Sequence, residues 1–218
     1  LWGGVVGDDG VEGIQVGPEV PMGQIYSEFQ KYIKELKSIG VLLAVNSKND
    51  EENAIAGLNH PDGILRPDDF IVIKANWENK DRNMREIASE LNLGIDSFVF
   101  ADDNPTEREI MIQSGFGVAV PVMDKVENYL RVIDRNGFFE VTSLSADDLS
   151  REKMYKANAQ RTQLEQSLGN YEDFLKSLNM KATIRCFEPI YYQRIAQLTN
   201  KSNQFNLTTL RCSEGDIT

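Results

Sequence analysis

Ser47, Lys80, Asp102 and Asp103 are the residues of this chain whose types and positions could do chemistry together. The two acids end the stretch Phe98-Val99-Phe100-Ala101-Asp102-Asp103-Asn104-Pro105. Its apolar run reads as a buried parallel strand, and Asn-Pro then turns the chain so that Pro105 can open a helix. In an open α/β sheet, ligands sit beyond the carboxyl ends of the strands, so both acids fall where a metal and a substrate would sit. Adjacent carboxylates in a partly buried site are costly unless a cation or hydrogen-bond donors compensate. Mg2+ is the simplest compensation, because a hard cation takes carboxylate oxygens. A solvated Asp-Asp turn ahead of a helix N-cap explains the same residues without a ligand.

Ser47 follows an apolar segment and precedes a helix start capped by Asn49 or Asp50. A small hydroxyl at that point, with free backbone N–H groups, can converge on a phosphate; an ordinary N-cap is the plainer reading. Lys80 stands at the start of a later helix. The helix dipole disfavours a cation there, so local structure accounts poorly for the lysine and a phosphate held at that point accounts for it well.

The elements that must position these residues alternate. A helix over 22–38 carries Ile25, Phe29, Tyr32, Ile33 and Leu36 on one face, and Gly40 closes it. Strands are expected over 41–45, 70–73, 98–100 and 117–120, and helices over 81–91, 105–114 and 125–133. Met84, Ile87, Ala88 and Leu91 form the inner stripe of the helix over 81–91. Alternation of this kind implies an α/β fold with a doubly wound parallel sheet, and puts the polar tips at Ser47, Lys80 and Asp102-Asp103 on one edge of it. Ahead of this core, residues 3–23 are rich in glycine and short β-formers and read as a hairpin or flap. Asp8 and Asp9 there are explained by turn chemistry.

The pattern changes between residues 139 and 150, where a domain boundary is expected, giving segments 1–142 and 143–218. A long helix then runs to about residue 168, with Met154, Ala157, Arg161, Leu164 and Leu168 recurring at spacings that would pack along its length. A short helix over 171–178, a strand over 181–187, a helix over 188–199 and a polar Asn/Thr-rich stretch over 200–209 follow. These read as the opening of a second α/β module.

Composition narrows the function classes. The chain is 41% hydrophobic and carries a net charge of −11, from 34 acids against 23 bases. That balance argues against nucleic acid or an anionic membrane as partner. No apolar run approaches the roughly 20 residues of a membrane span, and no basic-then-apolar leader opens the chain. Cys186 and Cys212 are isolated, which argues against a disulfide framework and fits a reducing cytoplasm. His60, the single histidine, reads as a loop residue before Pro61. The start at Leu1-Trp2-Gly3-Gly4 reads as though cut from something longer.

A serine at one strand end, a lysine before a helix and an acidic pair after a third strand, in that order, resemble the haloacid dehalogenase-like phosphohydrolase superfamily. The segments LWGGVVGDDGVEGI, SKNDEENA, KANWENK, SFVFADDNPTERE and LTNKSNQFNLTT resemble its FkbH-like branch and span nearly the whole chain. The resemblance implies a Rossmann-like phosphatase domain over 1–142. It implies a helical linker and the opening of an acyltransferase module, similar to the Gcn5-related fold, over 143–218. It implies Mg2+ and a small phosphorylated substrate. A nucleophilic aspartate in a D-x-D-x-T loop would lie just upstream of Leu1. Ser47 would donate to a phosphoryl oxygen, Lys80 would neutralise charge, Asp102 would ligate the metal and Asp103 would assist. Lys48, Asn49 and Lys74 would contact substrate, although Lys74 reads equally as a solvated surface lysine. Some FkbH-like proteins transfer a glyceryl group from 1,3-bisphosphoglycerate to an acyl carrier protein. Those members often carry Cys where this chain has Asn46, and an amide cannot form a thioester. Phosphatase action therefore gains weight over acyl transfer through that position. A scaffold that only docks a carrier protein stands as the alternative. A receiver-like signalling domain fits worse, because its acidic pair comes early in the chain and its lysine late.

Overall fold

The structure, a computed structural model, describes residues 1–141, 144–167, 171–201, 208 and 210–217. Internal contacts divide the chain into two units, residues 1–167 and 168–218. The composition change at 139–150 falls inside the first unit.

The first unit begins with Gly3 and Gln15 joined by an antiparallel bridge, with α1 (Val6–Asp9) between them. The expected hairpin is reduced to that bridge. Its turn residues go into a helical turn instead, where Asp9 Oδ2 accepts from Val5 N at 2.8 Å. Pro21 opens α2 (Pro21–Ser38), where a missing N–H costs nothing. The buried side of α2 places Phe29 and Leu36 against Met123, Tyr129 and Ile133. Phe29 meets Tyr129 edge-on, with ring centroids 5.5 Å apart. Gly40 follows at φ +95°, and a Cβ there would come within 2.2 Å of the Asp148 carbonyl oxygen. Both the conformation and the close approach require glycine.

β1 (Ala44–Ser47) pairs in parallel with β2 (Val72–Ala75), Ala44 opposite Val72 and Ser47 opposite Ala75. α3 (Glu51–Leu58) belongs to the crossover between them. Both strands lie a few residues later than their apolar runs. The run marks where packing begins, as Leu43 and Phe70 enter the core, whereas the ladder continues into the polar tip. α4 (Lys80–Leu91) buries Met84, Ile87, Ala88 and Leu91, the expected stripe. Residues 98–100 and 117–120 meet through one parallel bridge, Val99 to Ala119. Phe100 N donates to Ala119 O at 2.8 Å and Ala119 N donates to Phe98 O at 3.1 Å. Among the described residues the parallel sheet is thus small: two paired strands and a separate bridge, not one continuous wound sheet. α5 (Pro105–Gln113) and α6 (Tyr129–Arg135) complete this part.

α7 (Ala146–Leu149) and α8 (Arg151–Ser167) close the unit. Of the packing stripe expected on α8, the described members are Met154, Ala157 and Arg161, and of these only Ala157 is half-buried. Met154 is 52% exposed, and it is Tyr155 that packs beside Val72, Ile87 and Leu91. α8 is mostly polar, so charge holds it: Lys156 Nζ donates to Asp68 O at 2.7 Å and Glu152 pairs with Lys37 at 3.2 Å. The side chains of Leu164 and Leu168 lie outside the described residues.

That ion cluster makes a pH prediction. Burial alone would raise the Asp69 carboxyl, but hydrogen bonds from Lys37, the Arg66 backbone and Lys34 hold it below its ordinary 3.8. Burial likewise opposes Lys156 and Lys37 at Glu152, which ends below its ordinary 4.5. Groups with lowered folded-state values stabilise the fold above their ordinary values, and that stability is lost as pH falls through the lowered ones. Thermal melts of the wild type should therefore fall below about pH 4.5, where carboxylates begin to protonate. Asp69→Asn should lower the neutral-pH melting temperature and flatten the acid limb. An acid limb of unchanged steepness would assign the effect to other carboxylates.

The second unit holds α9 (Tyr171–Ser177), α10 (Tyr192–Lys201) and α11 (Glu214–Ile217). Asn200 Nδ2 donates to Cys212 O at 2.8 Å, tying the end of α10 to the chain before α11. Residues 181–187 form no strand, and Ile184 is 95% exposed. Among the described residues the alternation there has no partner strand to pair with, and an isolated strand is not stable alone. Most of the Asn/Thr-rich stretch lies outside the described residues. Among the described residues, no helix is long and apolar enough to cross a membrane.

Candidate active site

Asn79 caps α4, so Lys80 is its first residue and stands at the positive end of the helix dipole. What offsets that position is Asp102. Lys80 Nζ donates to Asp102 Oδ2, with the two side chains only 13% and 5% exposed. Asp102 Oδ1 accepts from Asn104 N at 2.9 Å, and Asn104 Oδ1 accepts from Thr106 N at 2.9 Å as the N-cap of α5. The turn is therefore both a helix cap and an acidic site. Asp103 is exposed, and among the described residues its carboxylate accepts no hydrogen bond.

Under Lys80 lies a knot of three asparagines that periodicity does not reveal. Asn83, one turn along α4, is fully buried at 0% exposure. Its Nδ2 donates to Asn46 Oδ1 at 3.2 Å and to Asn76 Oδ1 at 2.9 Å, and Asn76 Nδ2 donates back at 3.3 Å. Asn46 Nδ2 donates to Lys80 O at 2.8 Å. The knot thus pins the ends of β1 and β2 to the first turn of α4. Such a buried network is stable only when its members are satisfied together. Both ends of the Asn46 amide are engaged, which is a structural reason for an amide at that position. The only sequence signal was the presence of polar residues at strand ends, which turn formation explains equally well.

Ser47 is the last residue of β1 and half-buried. Its carbonyl accepts from Asn76 N at 3.1 Å, and its hydroxyl has no partner among the described residues. Its neighbours reach the acidic turn from both sides: Asn46 through Lys80, and Lys48 through Glu107 at 2.8 Å. Glu107 is buried in the first turn of α5, with Oε1 on Lys48 and Oε2 without a hydrogen-bond partner. Asn49 Oδ1 accepts from Asp50 N at 2.8 Å. Asp50 holds the N-cap position of α3, but its Oδ1 instead accepts from Nε1 of the exposed Trp77 at 2.9 Å. That bond joins the loops after β1 and β2. Lys74 does not join this group. It sits inside β2 and pairs with Glu90 at 3.3 Å and Glu86 at 3.6 Å on α4. Two further residues, Glu107 and Arg108, were missed by sequence reasoning because a helix's first turn commonly carries charge without ligand chemistry.

Two phenols feel the charge of Asp103. Burial, then Asp103, pushes Tyr129 up to about 12, and burial and Asp103 raise Tyr26 as well. Both remain neutral at pH 7 and add no charge to a site that already concentrates anions.

Asp102 and Asp103 offer the oxygen donors that a hard cation takes. Among the described residues no group of three acids, cysteines or histidines gathers close enough to hold a metal ion. The donor type fits Mg2+, which keeps several waters and commonly takes only one or two carboxylates from the protein. A buried ammonium, a free hydroxyl and two acids at one set of strand ends suit positioning and charge neutralisation on a phosphoryl group.

No protein-family model matches the chain, and no curated protein does. One solved structure is similar at 45% identity and a TM-score of 0.63. It is the N-terminal part of the protein BF1531 from Bacteroides fragilis, containing a phosphatase domain complexed with Mg. The match covers 66% of this chain and 39% of that one, so this chain spans about two-fifths of its neighbour's length.

Proposed function

We propose that this chain carries the core of a Mg2+-dependent phosphohydrolase acting on a small phosphorylated metabolite, of the haloacid dehalogenase-like kind and its FkbH-like branch. The observation that carries the reading is the buried Lys80–Asp102 pair at the junction of strand ends and helix starts. The 45% identity to a phosphatase domain complexed with Mg supports it.

The residues divide the work as follows. Asp102 and Asp103 would hold Mg2+. When bound, the ion supplies charge neutralisation at the phosphoryl oxygens. The Ser47 hydroxyl donates to a phosphoryl oxygen, and the Lys80 ammonium offsets charge on the phosphoryl group and the nucleophile. Lys48 and Asn49 meet the rest of the substrate; Lys48 is held ready by Glu107. The FkbH-like resemblance implies that the nucleophile is an aspartate N-terminal to Leu1. It attacks phosphorus, the leaving group departs, and water releases phosphate from the aspartyl phosphate.

A second reading, glyceryl transfer from 1,3-bisphosphoglycerate to an acyl carrier protein, draws on the FkbH-like segments and on residues 143–218 as the opening of an acyltransferase-like module. Asn46 weighs against it, since its amide is committed to Lys80 and Asn83 and cannot carry a thioester. Either activity belongs to a cytoplasmic enzyme without nucleic-acid or membrane partners.

The test is a phosphate-release screen on the full-length protein over small phosphoesters and acyl phosphates, with Mg2+ or with EDTA, and with an acyl carrier protein present or absent. Mass spectrometry follows the carrier. EDTA-sensitive phosphate release is expected without the carrier. Release that requires the carrier, with an acyl group gained by it, would favour transfer. No release from any compound would favour a docking scaffold.

A further inference from the structure

The guanidinium of Arg108 sits directly behind the acidic pair. The residue is 8% exposed, and its Nη1 donates to the carbonyl oxygens of both Asp102 and Asp103 at 2.9 Å, with a longer contact to Met123 O at 3.4 Å. Nη2 donates to Asp124 Oδ1 at 2.5 Å. The cap of α5 does not need this arrangement, because Asn104 Oδ1 already accepts from Thr106 N. A buried guanidinium is costly to desolvate and persists where its donors are satisfied. Here they are spent on two consecutive carbonyls of the residues whose side chains form the acidic pair. Holding both carbonyls fixes the backbone dihedrals between them, and with them the directions of the two carboxylates. Arginine suits this because its donors form a rigid fork, whereas lysine is a single point on a flexible stem. The charge also lies beside two acids that would otherwise repel each other.

We propose that Arg108 is a positioning residue for cation binding: it locks the Asp102-Asp103 backbone so that both carboxylates address one ion, with Asp124 orienting the fork from outside. This rests on the metal reading of the acidic pair given above. Arg108 itself touches neither metal nor substrate.

The probe is Mn2+, titrated into the full-length protein and followed by electron paramagnetic resonance, with thermal melts run in parallel. Wild type is expected to take up Mn2+ at a site that Asp102→Asn removes. Arg108→Ala should weaken that site by ~10–100-fold, the usual effect of losing a group that orients metal ligands. Millimolar guanidinium ion should restore affinity in Arg108→Ala and not in Asp102→Asn, since only the former leaves a guanidinium-shaped space. Asp124→Asn, which keeps the fork and loses its outer partner, should weaken binding in the same direction by less. Wild-type affinity in a folded Arg108→Ala overturns the proposal, as does weakened affinity that guanidinium leaves unchanged. If Arg108→Ala does not fold, wild-type affinity in Asp124→Asn overturns it. A wild-type protein that takes up no Mn2+ overturns the metal reading of the acidic pair together with this one.

Discussion

Asp102→Asn should reduce EDTA-sensitive phosphate release by ~100-fold or more while the protein stays folded, an effect in the range seen when one preorganised electrostatic group is lost from an active site. The substitution is nearly isosteric. The new amide oxygen can still accept from Asn104 N, as the carboxylate does now, so the turn into α5 keeps its cap; the amide nitrogen then faces the Lys80 ammonium, so a lowered melting temperature is expected beside the lost activity. What disappears is the charge, and charge is what a hard cation and the Lys80 ammonium both need. A simple cap turn would tolerate the change, because asparagine is as good a turn residue as aspartate. Steady-state phosphate release beside a thermal melt separates the two cases. Retained turnover in the folded variant would return Asp102-Asp103 to the role of a solvated cap.

How much of this was legible beforehand depends on which physical signal each residue carries. The stripe Met84, Ile87, Ala88 and Leu91 was readable because burial on one helix face leaves a period in the sequence. The strand tips were readable within a few residues, because apolar runs end where chains reach solvent. Ser47, Lys80 and Asp102 stood out as polar groups that local structure explained poorly or incompletely. The asparagine knot left no such trace. Asn46, Asn76 and Asn83 each look like turn or surface residues singly, and only the fold joins them across 37 positions of chain, from Asn46 to Asn83. Lys74 shows the converse. Its place beside a motif reads equally as a substrate contact or a surface lysine, and neither reading names the partners that strand alternation gives it, Glu86 and Glu90. Met154 and Arg161 on α8 are exposed for a related reason: a helix held by Lys156, Glu152 and one tyrosine need not display a wide apolar face. Residues 98–100 and 117–120 have strand-like composition, yet ladder length depends on which neighbours are present to pair with, and single-segment composition does not encode that.

Lys80→Met separates the two roles of the buried pair. The Asp102 side chain is only 5% exposed, and with the ammonium gone its oxygens keep only the Asn104 N–H as a donor among the described residues. Removing one partner of a buried pair typically costs ~3–5 kcal/mol, because the other charge is left uncompensated. Urea unfolding of Lys80→Met should show a loss of that order, and phosphate release should fall by ~100-fold or more as the charge facing the phosphoryl group is lost. The double variant Lys80→Met with Asp102→Leu removes both charges together. Replacing a buried ion pair by apolar groups of similar size is commonly neutral or stabilising, so most of the lost stability should return. Activity should not return with it. A double variant that is stable and inactive would mean that the pair is kept for chemistry, since the fold gains little from it. A double variant as unstable as Lys80→Met would mean instead that the pair is a structural tie between α4 and the turn before α5, and the functional assignment of Lys80 would fail.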